Sequence, residues 1–229
     1  MGNVVLTSSH PRHNYFVNVA ERICDVSLVI QEEKPGLTGD ALATEEKYFS
    51  GGNKILSKVI KCEKGRLNSF HIIEQIRSQN PDVILVFGSG IIGSEIIKFG
   101  CVNVHTGMTQ YFRGVDSCFW AIHDNKPQGI GATLHFINEG VDTGSIIAQH
   151  RPALSDKDSV WDIFMKTCLV GFGALEQNID RIKNKSINTI PGGNGKLYRT
   201  RDMSPGAFKL VNSNLKNVIE QYREMYDKS

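Results

Sequence analysis

An unbroken apolar run at Val83–Phe87 constrains the fold more than any other segment of the sequence. Asp82 and Gly88 bound the run, and a short continuous apolar stretch of this kind is typical of a strand that is buried on both faces. Such strands belong to parallel sheets that are covered by helices. The rest of the chain alternates short apolar runs with amphipathic stretches, so the sequence predicts an α/β fold with a mostly parallel central sheet and helices on both faces.

The same patterns predict where the other strands and helices lie. Strands are expected at Val4–Leu6, Val26–Ile30, Cys101–Val104, Ile130–Ile137 and Ser145–Gln149. Helical spacing predicts helices at residues 14–24, 69–80 and 161–183, and a final amphipathic helix from about Pro205. Residues 31–52 show no strong period, and only a helix opening at Glu45 is expected there. We place one domain over residues 1–190 and a short C-terminal helical extension over residues 191–229.

Composition and charge exclude several classes of protein. The 26 basic and 24 acidic residues leave a net charge of +2, which is too even for a nucleic-acid surface or a polybasic membrane anchor. No apolar run approaches the roughly 20 residues that cross a bilayer, and the N-terminus lacks a signal-peptide pattern. The five cysteines are scattered and form no C-x-x-C pair. We expect a cytoplasmic protein without nucleic-acid or membrane partners, and a monomer and a homodimer both stay open.

A glycine motif follows the buried strand. Gly88-Ser89-Gly90-Ile91-Ile92-Gly93 matches the dinucleotide fingerprint G-x-G-x-x-G. The fingerprint normally opens the first βαβ unit of a domain and needs an acidic residue near the end of the next strand, where this chain has Asn103-Val104-His105. A sharp structural turn is therefore the favoured interpretation. A turn at the end of a central parallel strand can still hold a ligand other than NAD.

Polar residues suited to acyl transfer are concentrated between residues 103 and 149. Asn103 and His105 lie at i and i+2, on one face of a predicted strand end, and Asp142 lies in a turn between two glycines. The amide and the imidazole can donate hydrogen bonds to an oxyanion, and the carboxylate can orient the imidazole or accept a proton through water. We expect the attraction of Asp142 to favour the charged form of the imidazole.

Each of these residues also has other interpretations. Asn103 and His105 could serve turn chemistry, His135 could be a hydrogen-bonded core residue, and Asp142 could form an Asx turn. His105, His135 and Asp142 could also be the ligands of a zinc-dependent hydrolase. No H-x-x-x-H or H-x-x-E-H pattern accompanies them, so no metal site is expected. The joint occurrence of the polar residues in one short stretch favours catalysis.

The stretch from Asn103 to Gln149 resembles the core signature of the folate-dependent formyltransferases. That family shows N-x-H, a proline-containing loop with R-G, a W-A-type helix, G-x-T-x-H and D-x-G-x-I. This chain has Asn103-Val104-His105, Arg113-Gly114, Trp120-Ala121, Gly131-Ala132-Thr133-Leu134-His135 and Asp142-Thr143-Gly144-Ser145-Ile146. The resemblance is detailed over residues 80–150 and looser over residues 1–185. It implies a Rossmann-like three-layer α/β fold and transfer of a formyl group from 10-formyltetrahydrofolate to an amine.

The resemblance also implies roles for individual residues. Asn103 resembles the amide that holds the formyl oxygen, and His105 the imidazole that polarises the same carbonyl. Asp142 resembles the carboxylate that positions a water or the imidazole and helps to remove the proton from the attacking amine. The family's pterin pocket corresponds here to Phe87, Gly88, Ser89, Gly90, Ile91, Ile92, His135, Gly140 and Val141.

The amine acceptor is less constrained. Methionyl-tRNA formyltransferases carry an additional C-terminal β-domain, whereas about forty residues follow position 190 here, and the net charge indicates no phosphate-binding face. Phosphoribosylglycinamide formyltransferases have a glycine-rich loop after the first strand, where this chain has Thr7-Ser8-Ser9-His10-Pro11-Arg12-His13. The proline-rich segment after N-x-H is also changed, to Thr106-Gly107-Met108-Thr109-Gln110.

The chain is therefore most similar to the sugar-amine N-formyltransferases, and we expect a nucleotide-linked amino sugar for a surface polysaccharide as the acceptor. The ribotide of purine synthesis is the alternative. Arginine geometry suits a diphosphate, and the expected substrate-binding residues are Ser9, His10, Arg12, Thr106, Gly107 and Arg113, with His13 beside them. Arg12 and His13 could equally be a solvated helix start, and Arg113 could brace its loop.

Overall fold

Nine strands and seven helices occupy residues 2–51 and 54–227, which the computed structural model describes. The strands are β1 (Asn3–Thr7), β2 (Val26–Glu32), β3 (Lys58–Cys62), β4 (Ile84–Val86), β5 (Cys101–His105), β6 (Phe112–Gly114), β7 (Ala132–Phe136), β8 (Ile146–His150) and β9 (Lys196–Tyr198). The helices are α1 (Pro11–Ile23), α2 (Gly39–Phe49), α3 (Phe70–Gln79), α4 (Ser94–Ile97), α5 (Ser117–His123), α6 (Val160–Lys183) and α7 (Pro205–Tyr226).

The central sheet has the strand order β3-β2-β1-β4-β5-β7-β8. The strands from β3 to β5 pair in parallel, whereas β7 pairs antiparallel with both β5 and β8. The carboxyl ends of β1, β4 and β5 therefore meet at one edge of the sheet, where open α/β sheets bind their ligands. The mostly parallel sheet confirms the predicted fold class.

Alternate residues of the parallel strands face two apolar layers. Val5 and Leu85 lie in a buried cluster with residues of α1 and α6, and Val4 and Ile84 lie in a second cluster with residues of α3 and α4. Each fully buried aliphatic side chain of this kind stabilises the fold by about 1.5–3 kcal/mol. The continuous apolar run of β4 is thus explained by burial on both faces.

Helix α6 forms the long support beneath one face of the sheet. It begins with a capping box, because the Ser159 Oγ accepts the Asp162 N–H at 3.1 Å and the Asp162 carboxylate accepts the Ser159 N–H at 3.0 Å. Helix α7 is nearly as long, with 22 residues against 24. No helix in the described part of the chain is both long and apolar enough to cross a membrane.

The C-terminal segment packs on the residues that follow β5. Strand β9 pairs in parallel with β6, and the Tyr198 ring stacks on Trp120 with centroids 3.9 Å apart and planes 8° from parallel. Val211 and Val218 of α7 are buried in the same apolar cluster as Trp120. Residues 191–227 therefore help to hold the segment between β5 and α5, whereas the domain boundary at residue 190 stays a prediction.

The structure differs from the expected elements at helix α2, at the edge strand β3 and at the short strands β6 and β9. Helix α2 begins at Gly39, six residues before the expected start, because its buried face consists of Ala41, Glu45 and Phe49. Because Glu45 lies at the centre of that face, the helical spacing of apolar residues is interrupted in the sequence. Strand β3 carries two lysines and is largely exposed, so it shows no apolar run, and β6 and β9 are only three residues long.

Candidate active site

Three polar side chains meet at the carboxyl end of β5. Asn103 and His105 occupy alternate positions on this strand, so their side chains lie on the same face, and Asp142 comes from the loop between β7 and β8. The His105 Nδ1 atom lies 3.4 Å from Oδ2 of Asp142. The Asn103 Nδ2 atom lies 3.5 Å from Oδ1 of the same carboxylate. The structure therefore brings the three predicted catalytic residues together.

The backbone around Asp142 is built to hold this carboxylate in place. Asp142 has a φ of 52°, a left-handed conformation that is uncommon outside glycine. The Gly114 N–H donates to its Oδ2 at 2.8 Å. Arg113 donates from Nη1 to the Val141 carbonyl at 3.0 Å and from Nε to the Gly195 carbonyl at 2.7 Å. Arg113 thus braces the loop, and its contact with a substrate stays a prediction.

His135 orients the Asn103 amide. The two residues are paired across β5 and β7, and the Asn103 Nδ2 lies 3.2 Å from His135 Nε2. The other ring nitrogen, Nδ1, lies 2.7 Å from the Phe136 carbonyl. A carbonyl can only accept, so Nδ1 carries the proton and Nε2 accepts from Asn103. His135 was expected in the pterin pocket, and its antiparallel pairing with Asn103 could not be read from spacing alone.

Burial decides the ionisation of this cluster. Removal of His105 from water lowers its pKa below 6.5, although Asp142 attracts the proton. The ring is therefore neutral at pH 7, and the expectation of a positively charged imidazole is wrong because desolvation outweighs the attraction. Burial opposes the charge of Asp142 as well, but His105 and then the Gly114 N–H outweigh it and hold the pKa of Asp142 well below its usual value. A neutral imidazole thus lies beside an ionised carboxylate.

Each glycine of the motif is required because a larger residue would collide with a side chain of another element. Gly88 has a φ of +63°, and a Cβ there would lie 2.5 Å from the His13 ring. A Cβ at Gly90 would lie 2.8 Å from both carboxylate oxygens of Glu32, and one at Gly93 would lie 3.0 Å from the Asn68 side-chain oxygen. These contacts support the structural interpretation of the motif, because each glycine lets the loop approach a side chain of another element.

The remaining pterin-pocket candidates lie on the two loops above the sheet. Phe87 is buried against Phe172, whereas Ile91 is 81% exposed. Ser89 and Ile92 are half-buried on the same loop. Val141 is exposed, and the neighbouring Gly140 N–H donates to a side chain within its own turn. Their contact with a pterin stays a prediction.

The first group of acceptor candidates lies at the carboxyl end of β1. Ser9 is exposed and His10 half-buried. Close by in the chain, Ser8 Oγ, His10 Nε2 and His13 Nδ1 are buried, and none has a hydrogen-bond partner among the described residues. Burial lowers the pKa of His13 well below 6.5, so this ring is neutral. The carboxyl end of β1 therefore has several polar atoms without hydrogen-bond partners and little charge.

Arg12 is largely buried and forms an ion pair with Glu45. Its Nη1 lies 2.6 Å from Oε1 of Glu45, whose side chain is fully buried. The same oxygen accepts the Arg12 backbone N–H at 3.1 Å. Glu45 therefore takes up the charge of Arg12 at the start of α1, and binding of a diphosphate by Arg12 stays a prediction.

Thr106 and Gly107 continue directly from β5. Thr106 is half-buried, and the Gly107 carbonyl accepts the Thr133 hydroxyl at 2.7 Å. A Cβ at Gly107 would lie 2.9 Å from His105 Nε2, so the glycine leaves the room that the ring occupies. Thr133 is a supporting residue, named above only as the threonine of the G-x-T-x-H motif and given no role there. Its position two residues before His135, on the same face of β7, was the available signal.

The donor geometry gives no support to the zinc alternative. Within the described ranges, no group of three or more His, Cys, Asp or Glu side chains is arranged to hold a metal ion. His105 and His135 instead contact the Asp142 carboxylate at 3.4 and 3.5 Å.

Comparison with known proteins gives a consistent family assignment. The model of the family described as "Formyl transferase" matches residues 2–171. A methionyl-tRNA formyltransferase of Clostridioides difficile is 31% identical over 163 residues, which cover 69% of this chain and 51% of that protein. One of Thermodesulfovibrio yellowstonii is 29% identical over 134 residues, covering 57% of this chain and 43% of that protein. The chain thus spans about half the length of the curated relatives that it matches.

Solved structures of similar fold include sugar N-formyltransferases. A 4-N formyltransferase from Francisella tularensis has a TM-score of 0.64 at 18% identity, with 92% of this chain and 86% of that chain covered. The formyltransferase PseJ from Anoxybacillus kamchatkensis, in complex with a UDP-linked formamido sugar and tetrahydrofolate, has a TM-score of 0.60 at 17% identity. That match covers 95% of this chain and the whole of the other. A phosphoribosylglycinamide formyltransferase from Bacillus halodurans has a TM-score of 0.57 at 20% identity, with 80% and 97% covered.

Proposed function

Because the chain belongs to the formyl transferase family, we propose that it transfers a formyl group from 10-formyltetrahydrofolate to a primary amine. The observation that carries this proposal is the convergence of Asn103, His105 and Asp142 at the carboxyl end of β5, with contacts of 3.4 and 3.5 Å to one carboxylate. An amide donor, a neutral imidazole and an ionised carboxylate at one point are the groups that acyl transfer to an amine requires.

The residues at the site fit a formylated folate. His105 Nε2 is buried without a partner among the described residues. Because Nδ1 of the neutral ring faces the Asp142 carboxylate, Nε2 is the accepting nitrogen, and an N–H or O–H donor of a ligand would satisfy it. The loop of residues 87–92 and the segment of residues 135–142 would hold the pterin. When bound, the folate supplies the formyl group, and the protein supplies the polar atoms around it.

Asn103 has one amide hydrogen available for a formyl oxygen. One hydrogen is directed to His135 Nε2 at 3.2 Å, and the other meets Asp142 only at 3.5 Å. The second contact is long for a hydrogen bond, so donation to a ligand oxygen costs little. Negative charge grows on that oxygen as an amine attacks, and a donor fixed beside it lowers the barrier by about 2.7–4 kcal/mol.

His105 and Asp142 manage the proton that the attacking amine must lose. The neutral His105 ring can accept a proton, and Asp142 stabilises the resulting imidazolium from 3.4 Å. Asp142 stays ionised because His105 and the Gly114 N–H favour its charged form more strongly than burial opposes it. The carboxylate thus acts through charge and orientation, and it need not be protonated itself.

The acceptor we propose is a nucleotide-linked amino sugar. Ser8, His10 and His13 place unsatisfied polar atoms at the carboxyl end of β1, one strand away from β4 and its glycine loop, and phosphate or sugar oxygens would satisfy these atoms. Several structures of similar fold are described as sugar N-formyltransferases. Methionyl-tRNA is the second candidate, because the curated relatives in sequence act on it by name.

A ligand screen by thermal shift and calorimetry tests the proposal. 5-Formyltetrahydrofolate should raise the melting temperature on its own, and nucleotide-linked amino sugars should raise it further. Glycinamide ribotide and initiator methionyl-tRNA serve as the competing acceptors. No response to the folate would contradict formyl transfer, and a response to either competitor alone would reassign the acceptor.

A further inference from the structure

Glu32 holds the glycine loop from inside the protein. This carboxylate lies at the end of β2 and is 2% exposed. Its Oε2 accepts the Gly90 N–H at 2.6 Å and its Oε1 accepts the Gly65 N–H at 2.8 Å. Lys34 lies 3.8 Å from the same carboxylate and donates to the Gly88 carbonyl at 2.8 Å. Two backbone amides and one ammonium therefore satisfy a charge that would otherwise be costly to bury.

Asn68 fixes the second half of the same loop. Its Nδ2 donates to the Ile91 carbonyl at 2.8 Å, and its Oδ1 accepts the Gly93 N–H at 2.7 Å. The side chain thus pairs with the loop backbone much as a neighbouring strand would. Glu32 and Asn68 together bind the backbone of Gly90, Ile91 and Gly93.

These anchors leave the other side of the loop open. The N–H groups of Ile91 and Ile92 donate to no other described residue, and the Ile91 side chain is mostly exposed. Of the two isoleucines in the loop, only Ile92 packs against an apolar cluster, so the loop conformation depends mostly on the polar anchors beneath it. A ligand held by backbone groups binds tightly only when those groups are already in place.

We propose that Glu32 is a positioning residue for folate: it fixes the Gly88–Gly93 loop in the conformation that receives the pterin. The proposal rests on the proposed function, because it takes the loop to be part of a folate pocket. Glu32 itself does not touch the ligand. Its carboxylate acts through the Gly90 amide, and the steric requirement for glycine at position 90 follows from the same close approach.

The test compares Glu32→Gln with the neighbouring Glu33→Gln. Glu33 is exposed, so this control removes the same charge from the same strand end without touching the loop. Calorimetry should show that Glu32→Gln binds 5-formyltetrahydrofolate about tenfold more weakly than the wild type, because the amide group can replace only one of two accepted hydrogen bonds. Glu33→Gln should bind within twofold of the wild type.

A spectroscopic measurement separates positioning from general destabilisation. In protein labelled with ¹⁵N-glycine, the Gly90 and Gly65 amide resonances should move in Glu32→Gln, while the Gly114 resonance keeps its position. If Glu32→Gln does not fold, the exposed Asn68→Ala variant takes its place and should weaken folate binding similarly with an unchanged fold.

The outcomes distinguish the two proposals. Wild-type protein that does not bind 5-formyltetrahydrofolate would overturn the folate assignment itself. Wild-type binding with unchanged affinity in Glu32→Gln, or in Asn68→Ala when that variant replaces it, would overturn the positioning role and leave the proposed function intact.

Discussion

Asp142→Asn tests the site through the carboxylate on which Asn103 and His105 converge. The amide has the shape of the carboxylate, so its oxygen can keep the 2.8 Å hydrogen bond from Gly114. It cannot stabilise a protonated His105 at 3.4 Å, and its NH2 group faces the NH2 group of Asn103, which is also a donor. We expect kcat to fall about 10²–10³-fold, the usual effect of removing one electrostatic or proton-transfer group.

The same substitution should cost little stability. A charge-assisted hydrogen bond becomes a neutral one, a loss of about 1 kcal/mol, which lowers the melting temperature of a chain of this size by about 2–4 °C. The assay follows tetrahydrofolate release with the acceptor that the binding screen selects, beside thermal unfolding. Asp82→Asn is the matched control, because Asp82 is exposed. A kcat of Asp142→Asn within threefold of the wild type would refute the reasoning.

Three further predictions follow from the structure. Asn103→Ala and His105→Ala should each abolish transfer and still bind 5-formyltetrahydrofolate by calorimetry; loss of binding in both would indicate a structural role. The His105 ring should titrate below pH 6.5 in a ¹⁵N NMR titration, because burial lowers its pKa, and a midpoint at or above 6.5 would contradict this. Burial opposes the charge of Asp162, but the Ser159 hydroxyl and N–H and then Lys47 outweigh it and lower its pKa to about 2. The ionised carboxylate should therefore contribute about 2 kcal/mol above pH 4, lost as the pH falls from 4 to 2; a urea titration of Asp162→Asn should show no such loss, and equal pH dependence in both proteins would be inconsistent with it.

The fold could be predicted largely from local patterns. The buried run at Val83–Phe87 indicates a central parallel strand because its position in the sheet demands apolar residues on both faces. Helix α2 could not be placed correctly, since its buried face includes Glu45, whose partner Arg12 lies 33 residues earlier. Only the folded chain shows that this charge is neutralised.

The sequence predicts which residues form the candidate site, but it predicts their charge states and contacts only in part. Asn103, His105 and Asp142 were identified from their residue types and spacing, and the structure brings them together. The sequence predicts a charged His105, whereas its pKa is lowered and the ring is neutral. The balance between burial and the attraction of Asp142 depends on packing from every side. The role of His135 in holding the Asn103 amide depends on antiparallel pairing between β5 and β7, which spacing does not reveal.

Transfer of an isotopic label tests the central claim most directly. Wild-type protein is incubated with 10-formyltetrahydrofolate labelled with ¹³C in the formyl group and with a nucleotide-linked amino sugar, and the products are followed by ¹³C NMR. We predict a labelled formamide on the sugar with the wild type and none with Asn103→Ala. Label that stays on the folate, whichever amine is offered, would contradict formyl transfer by this protein.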